Sequence, residues 1–164
     1  MKIDIEHACS FTGHRPERLS GSKEDVKKWL TDQIKKAVDD GYTEFISGMQ
    51  RGVDIWAAEA VIELKKENKS LRLIAASAFK GMEKEWDSLW QKRYYRVFDS
   101  ADERIYISEN PGRRAFFQRN HWMVDHSNRL IGVYTGAPGG TKETIEYAKT
   151  KKREVILYGN NNQI

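Results

Sequence analysis

The sequence predicts an α/β fold in which a mostly parallel sheet of about six strands is flanked by helices in three layers. Short apolar runs alternate along the chain with segments whose apolar residues recur at helical spacing. Parallel neighbours need a crossover connection, and the crossover is usually a helix. The 164 residues contain no internal repeat, linker or composition break, so a single domain over residues 1–164 is expected.

The first half of the chain gives three strands and two helices. Residues 8–11, 44–47 and 71–78 are the predicted strands. The first helix is expected between Ser22 and Gly41, because Ser22 with Asp25 resembles a capping box and Gly41 is suited to end a helix. The second helix has an apolar face that runs from Val53 to Leu64.

The second half continues the alternation. Apolar residues at helical spacing predict a long helix over residues 82–98, and further helices are expected over 115–126 and 141–149. Strands are expected over 104–107, 129–134 and 154–158. Residues 160–164 are polar, apart from the last, and are expected to fray.

Composition gives weak evidence about partners. Lys and Arg number 28 against 24 for Asp and Glu, a formal charge of +4. Basic runs at residues 92–96, 113–119 and 149–153 are typical of solvated helix faces, so they support nucleic acid binding only weakly. A homo-oligomer is also compatible with the sequence.

Cysteine usage favours a cytoplasmic protein. Cys9 is the only cysteine, which excludes an intramolecular disulfide and a cysteine-based zinc site. The first residues lack the apolar stretch of a signal peptide, and no run approaches the ~20 apolar residues of a membrane span. No membrane association is expected.

Three turns stand where predicted strands lead into helices. In an open parallel sheet, ligands bind beyond the carboxyl ends of the strands, where helix N-termini attract anions. We number the turns first (residues 12–16), second (48–54) and third (136–141). The candidate ligand-binding residues are Thr12, Gly13, His14, Arg15, Gly48, Arg51, Gly52, Asp54, Asp125, Gly139, Gly140 and Thr141.

The third turn is the strongest candidate for a phosphate site. Gly139 and Gly140 let the backbone approach a phosphate closely, and Thr141 can cap the helix and donate a hydroxyl hydrogen bond. An ordinary capped loop has the same residues.

The other two turns supply charge. Arg15 and Arg51 are expected to neutralise a phosphate, although Arg15 could equally pair with a surface carboxylate, and His14 could be a packing residue. Asp54 or Asp125 would orient a sugar or base, and Asp54 could instead only complement a helix dipole.

The sequence lacks the signatures of standard NTP hydrolysis and of standard dinucleotide oxidoreduction. The chain has neither a Walker A motif nor a G-x-G-x-x-G fingerprint. His121, Asp125 and His126 form a small cluster without a fourth ligand, so no metal site is predicted.

Three groups of residues together carry a family resemblance. They are Thr12-Gly13-His14-Arg15-Pro16, Ser47-Gly48-Met49-Gln50-Arg51-Gly52-Val53-Asp54 with Ala57-Ala58-Glu59, and Met123-Val124-Asp125-His126-Ser127 with Gly139-Gly140-Thr141. With these motifs the sequence resembles the YpsA-like family. That family belongs to the SLOG superfamily of Rossmann-like proteins, with Smf/DprA and the LOG phosphoribohydrolases. The resemblance implies binding or sensing of a nucleotide or nucleotide derivative, with an ADP-ribose or NAD-like ligand among the candidates.

The same resemblance implies two alternatives. One is cleavage or transfer at a nucleotide's N-glycosidic bond, as in LOG enzymes, whose P-G-G-x-G-T-x-x-E motif ends in a catalytic Glu. Here Thr144 stands at that position, which weakens the hydrolase prediction and leaves any catalytic residue unassigned. The other alternative is single-stranded nucleic acid binding, as in Smf/DprA.

Overall fold

The computed structural model describes residues 1–19 and 21–160, so the predicted fraying of residues 161–164 lies outside the described residues. Six strands alternate with five helices, as the sequence predicts. The strands are β1 (Ala8–Gly13), β2 (Glu44–Ser47), β3 (Arg72–Ser77), β4 (Glu103–Tyr106), β5 (Arg129–Val133) and β6 (Glu154–Leu157). The helices are α1 (Lys23–Asp39), α2 (Val53–Lys65), α3 (Ser88–Ser100), α4 (Arg113–Asp125) and α5 (Gly140–Thr150).

The strands form one sheet in the order β4-β3-β2-β1-β5-β6, and all of its pairings are parallel. The chain builds outward from β1 to β4 and then returns to the other side of β1 with β5. The strand order therefore reverses between β1 and β5, where Phe11 is paired with Ile131. Such a switch point opens a crevice at the carboxyl ends of the two strands.

Helices cover both faces of the sheet, which gives the expected three-layer Rossmann-like arrangement. α1 packs against α2 and α2 against α3, while α4 packs against α5. Side chains alternate along β1, so that Cys9 and Phe11 join the larger apolar core with α1, α2 and α3, and Ala8 joins a smaller core with Met123 of α4.

One predicted element is wrong in extent. α3 begins at Ser88 and not near Met82, because the preceding residues form successive turns with hydrogen bonds to the third residue back, such as Trp86 N–H to Glu83 O at 3.1 Å. Gly81 has a φ of +91°, and Asp87 caps α3 by accepting a bond from the Trp90 amide at 3.0 Å. Met82 and Trp86 occupy helical spacing yet reach the core through turns.

None of the helices within residues 1–19 and 21–160 combines the length and the apolar character that a membrane crossing requires.

Candidate functional site

A cleft of about 260 Å³ opens at the carboxyl ends of the strands, beside the switch point between β1 and β5. The first turn, the start of α2, the amino-terminal half of α4 and the start of α5 form its walls. The lining residues are Phe11, Thr12, Gly13, His14, Arg15, Arg18, Gln50, Asp54, Arg113, Phe116, Phe117, Arg119, Asn120, Gly140 and Thr141.

The cleft brings together members of all three predicted turns. Those that line it are Thr12, Gly13, His14, Arg15, Asp54, Gly140 and Thr141. Gly48, Arg51, Gly52, Asp125 and Gly139 are not among its lining residues. The predicted set therefore divides into a part that faces the cleft and a part that shapes or supports it.

The three helices that begin at the cleft share an unusual start. α2, α4 and α5 have glycine at the N-cap, at Gly52, Gly112 and Gly139, and each of these glycines has a positive φ. α1 and α3 are instead capped by the side chains of Ser22 and Asp87. The first amides of a helix have no partner within the helix, and glycine offers no side chain to them, so these starts suit an anionic ligand.

Several backbone amides of the second turn donate hydrogen bonds to side chains within or next to the turn. The amides of Met49, Gln50 and Arg51 donate to Ser47 Oγ at 3.2 Å, to Asp54 Oδ2 at 3.3 Å and to Gln50 Oε1 at 3.1 Å. These bonds hold Asp54 and Gln50 at the cleft wall, and they engage the amides of residues 49–51.

Asp54 and Arg119 are two buried charged residues in the cleft wall, and each lies within the electrostatic influence of the other. They are 6% and 4% exposed, and Arg119 donates to the Gly48 carbonyl and, at 2.9 Å, to Asn120 Oδ1. Burial raises the pKa of Asp54 to about 6, an effect that the charge of Arg119 opposes. Burial likewise lowers the pKa of Arg119, against the charge of Asp54. Asp54 is thus poised between its neutral and charged forms near pH 6.

His14 carries an unpaired polar atom in the cleft wall. Its side chain is 4% exposed, its ring lies 5.7 Å from that of Tyr134, and within the described chain its Nε2 has no hydrogen-bond partner. Burial, helped by the charge of Arg18, lowers the pKa of His14, so the ring is neutral at pH 7. Buried polar atoms are normally paired, so Nε2 is an exception within the cleft wall.

The charge of the cleft is strongly positive. Among the described residues, four arginines line it (Arg15, Arg18, Arg113 and Arg119) against one carboxylate, that of Asp54. Sequence reasoning missed Phe11, Arg18, Gln50, Phe116, Phe117 and Asn120, and treated the run with Arg113 and Arg119 as a solvated face. The available signal was the mixed face of α4, where Arg113, Phe116, Phe117 and Asn120 recur at helical spacing.

The remaining predicted residues lie elsewhere. Arg51 pairs with Glu17, and Asp125 accepts a hydrogen bond from the Tyr147 hydroxyl at 2.8 Å and lies 3.7 Å from Lys151 Nζ. His126 is engaged with Trp122. Among the described residues, no three His, Cys, Asp or Glu side chains come together in a way that could hold a metal ion.

Thr144, at the position of the LOG glutamate, is buried within α5. Its hydroxyl donates to the Gly140 carbonyl at 2.7 Å.

Comparison with solved structures relates the fold to DNA processing protein A (DprA). DprA from Streptococcus pneumoniae matches with a TM-score of 0.61 at 16% identity, over 90% of this chain and 49% of that one. DNA processing protein A from Helicobacter pylori, a protein with a single-stranded DNA binding mode, matches with a TM-score of 0.63 at 15% identity, over 94% of this chain and 67% of that one. The chain thus spans about half of the first DprA chain and two thirds of the second. At these identities, the likeness shows a shared fold.

Comparison with curated sequences gives the family. The UPF0398 protein YpsA of Bacillus subtilis is 27% identical over 153 residues, which are 88% of this chain and 85% of that protein. A UPF0398 protein of Bacillus cereus is 32% identical over 160 residues, 91% of this chain and 85% of that protein. The model of the YspA SLOG family, YpsA, matches residues 9–158. The chain therefore belongs to the YspA SLOG family.

Proposed function

We propose that the cleft binds a phosphate-bearing nucleotide or nucleotide derivative. The observation that carries the proposal is the meeting of four arginines with three glycine-capped helix starts at one switch point of the sheet. Phosphate is recognised by such amides and by guanidinium groups, whose fork of donors matches its oxygens.

The other walls of the cleft fit the rest of a nucleotide. Phe116 and Phe117 offer aromatic rings against which a base can stack. Asp54 and Gln50 present an acid and an amide to sugar hydroxyls or base edges, and His14 Nε2 needs a partner. This combination of apolar walls with a few polar groups is usual for small-ligand sites.

A thermal-shift panel tests the proposal. It should contain nucleoside monophosphates, dinucleotides, cyclic nucleotides, NAD and ADP-ribose. A ligand at ~100 times its dissociation constant adds ~2.7 kcal/mol to the free energy of unfolding. For a chain of this size, the melting midpoint should then rise by roughly 5–10 °C. The absence of a shift with every compound would count against a nucleotide site.

Two neighbouring arginines provide a matched pair of variants. Arg113 lines the cleft, whereas Arg114 is exposed beside it in the first turn of α4 and does not line it. A charge-assisted hydrogen bond contributes about 1.5–3 kcal/mol, so Arg113→Ala should weaken binding about tenfold or more in titration calorimetry. Arg114→Ala should leave it within about twofold. If the two substitutions weakened binding equally, the phosphate would have to bind outside the cleft.

Single-stranded DNA binding is a second candidate. The H. pylori protein with the same fold binds single-stranded DNA, and the exposed arginines at the mouth of the cleft suit a strand backbone. A labelled oligo-dT should then bind with a dissociation constant that rises steeply with salt, at a slope near −0.7 per neutralised phosphate. Arg114→Ala should weaken this binding, in contrast to mononucleotide binding. A flat salt response would exclude backbone recognition.

Nucleotide cleavage at the N-glycosidic bond is favoured by one observation, the position of Asp54. Among the described residues it is the carboxylate that lines the cleft, and its pKa is raised to about 6, a value suited to acid–base chemistry. Incubation with nucleoside monophosphates or NAD followed by product analysis tests this. Cleavage would be supported if the wild type releases free base and Asp54→Asn does not. A ligand that binds but stays intact would contradict cleavage and would be consistent with binding only.

A further inference from the structure

A short segment crosses the mouth of the cleft and carries two of its arginines. We call residues 15–18 the strap; it consists of Arg15 followed by one 3-10 turn, Pro16–Arg18. Arg15 and Arg18 both line the cleft. The strap joins the second turn to the third and so spans the region in which a phosphate would lie.

Three contacts fix the strap. Buried Pro16 packs on Gly52, where an added Cβ would lie 2.9 Å from Pro16 Cδ. Glu17 accepts two hydrogen bonds from Arg51, with both N···O distances 2.7 Å. Arg18 Nη2 reaches the Pro138 carbonyl at 3.4 Å. The strap is thus tied to the second turn at two points and to the third at one.

Arg51 is engaged away from the cleft. Both of its terminal nitrogens donate to the Glu17 carboxylate, and it is not among the lining residues. The hydrogen bond from Arg51 also lowers the pKa of Glu17, which keeps this carboxylate ionised at neutral pH. The sequence suggested that Arg51 contacts phosphate, but its geometry suits a different task.

We propose that Glu17 and Arg51 are positioning residues, whose bidentate pair holds the strap so that Arg15 and Arg18 face the ligand. The inference rests on the proposed binding function. One 3-10 turn holds itself weakly, and its backbone bonds within residues 15–19 run from the Arg18 amide to Arg15 O and from the Leu19 amide to Pro16 O. A pair formed in the free protein orders the two arginines before the ligand arrives, which reduces the entropy lost on binding.

The substitution Glu17→Gln separates this role from a direct contact, because the two predict opposite signs. If Arg51 contacted phosphate, loss of the Glu17 charge would release Arg51 and tighten binding. If Arg51 acts through Glu17, the same change loosens the strap and weakens binding. Titration calorimetry with ADP-ribose and with 5′-AMP should show affinity reduced roughly two- to fivefold for both Glu17→Gln and Arg51→Ala, the size that an exposed bidentate pair supports.

The reversed pair supplies the rescue. Glu17→Arg combined with Arg51→Glu restores the ion pair without changing the net charge, and affinity should return to within about twofold of the wild type. Glu24→Gln is the control, because it breaks an exposed pair with Lys27 on α1, whose N–O distance is 3.2 Å, and should leave affinity unchanged. Tighter binding by Glu17→Gln, or no rescue by the reversed pair, would overturn the positioning role.

A measurement without ligand keeps this inference separate from the binding function. The Arg18 and Leu19 amides close the 3-10 turn, so their hydrogen exchange should be several-fold faster in Glu17→Gln and Arg51→Ala than in the wild type. Unchanged exchange would overturn the inference even if nucleotides bind. A wild-type protein that binds neither probe would instead contradict nucleotide binding at this site, and faster exchange in the variants would still support the ordering of the strap.

Discussion

Asp54 and Arg119 both lie against Gly48. A Cβ built on Gly48 would lie 2.8 Å from Asp54 Oδ2 and 2.9 Å from Arg119 Cδ, and Arg119 donates a hydrogen bond to the Gly48 carbonyl. Gly48 therefore leaves the space that the buried side chains of Asp54 and Arg119 occupy in the cleft wall. This packing explains why residue 48 is a glycine better than a contact between Gly48 and a ligand does.

Gly48→Ala should destabilise the fold, because the new methyl group would clash with the buried side chains of Asp54 and Arg119. Overpacking of this kind costs about 1–3 kcal/mol, which urea denaturation would measure as a lower free energy of unfolding. Gly140→Ala is the matched control, since the nearest atom to its added Cβ is 3.8 Å away and Gly140 has no positive φ. A similar loss in both variants would contradict the packing role of Gly48.

The stability of the protein should depend on pH through Asp54. Its folded pKa of about 6 lies above the ordinary value of 3.8, so the folded state binds its proton more tightly than the unfolded state does. The contribution is therefore most favourable below about pH 4 and falls as pH rises to about 6, by on the order of 2–3 kcal/mol.

Asp54→Asn should remove this part of the pH profile. The difference in free energy of unfolding between wild type and variant should change between pH 4 and pH 6 and be constant from pH 7 to 8, as measured by urea denaturation in steps of pH. A difference that is constant over the whole range would mean that Asp54 titrates normally.

Gly13 is required for the approach of β1 to α2. An added Cβ would lie 2.4 Å from Val53 Cγ2 and 2.6 Å from Val53 Cβ. Gly13→Ala should therefore cost about 1–3 kcal/mol of stability. Combining it with Val53→Ala should restore only part of the loss, because the substitution removes Val53 Cγ1 and Cγ2 but keeps Cβ. A double variant whose destabilisation is simply the sum of the two single ones would argue against this contact.

The start of α1 should depend on one side chain. Ser22 Oγ accepts a hydrogen bond from the Asp25 amide at 3.2 Å. Ser22→Ala should lower the free energy of unfolding by about 1 kcal/mol, while Ser22→Asp should retain most of it. Equal stability of the alanine and aspartate variants would show that the cap contributes little.

Local patterns predicted elements whose signals lie within a few residues. Ser22 with Asp25 marked the start of α1, and Glu44 to Ser47 were predicted as a strand with the bounds that the structure has. The prediction that a long helix begins at Met82 was wrong, because Gly81 and the Asp87 cap favour a later start than the apolar spacing suggests. A periodic pattern records which side chains reach the core and leaves open whether a helix or a series of turns brings them there.

The candidate site was only partly predictable. The rule that ligands bind at the carboxyl ends of parallel strands located the first turn, Asp54 and the Gly140–Thr141 step. Arg51 and Arg119 show why the rest was not. Arg51 follows a strand and Arg119 lies on a helix face, and their sequence positions do not show where the side chains lie. The packing of the chain places Arg51 against Glu17 and Arg119 in the cleft wall.

The sequence by itself determined the alternation of strands and helices, the family resemblance and the glycine-bearing turns, because these depend on local spacing and residue type. Tertiary structure decided which of the charged side chains share the cleft, which amides of the second turn are already bonded, and that α4 contributes a wall. These features depend on distances between residues far apart in the chain, such as Gly48 and Arg119, and such distances are set by the order of the strands within the sheet.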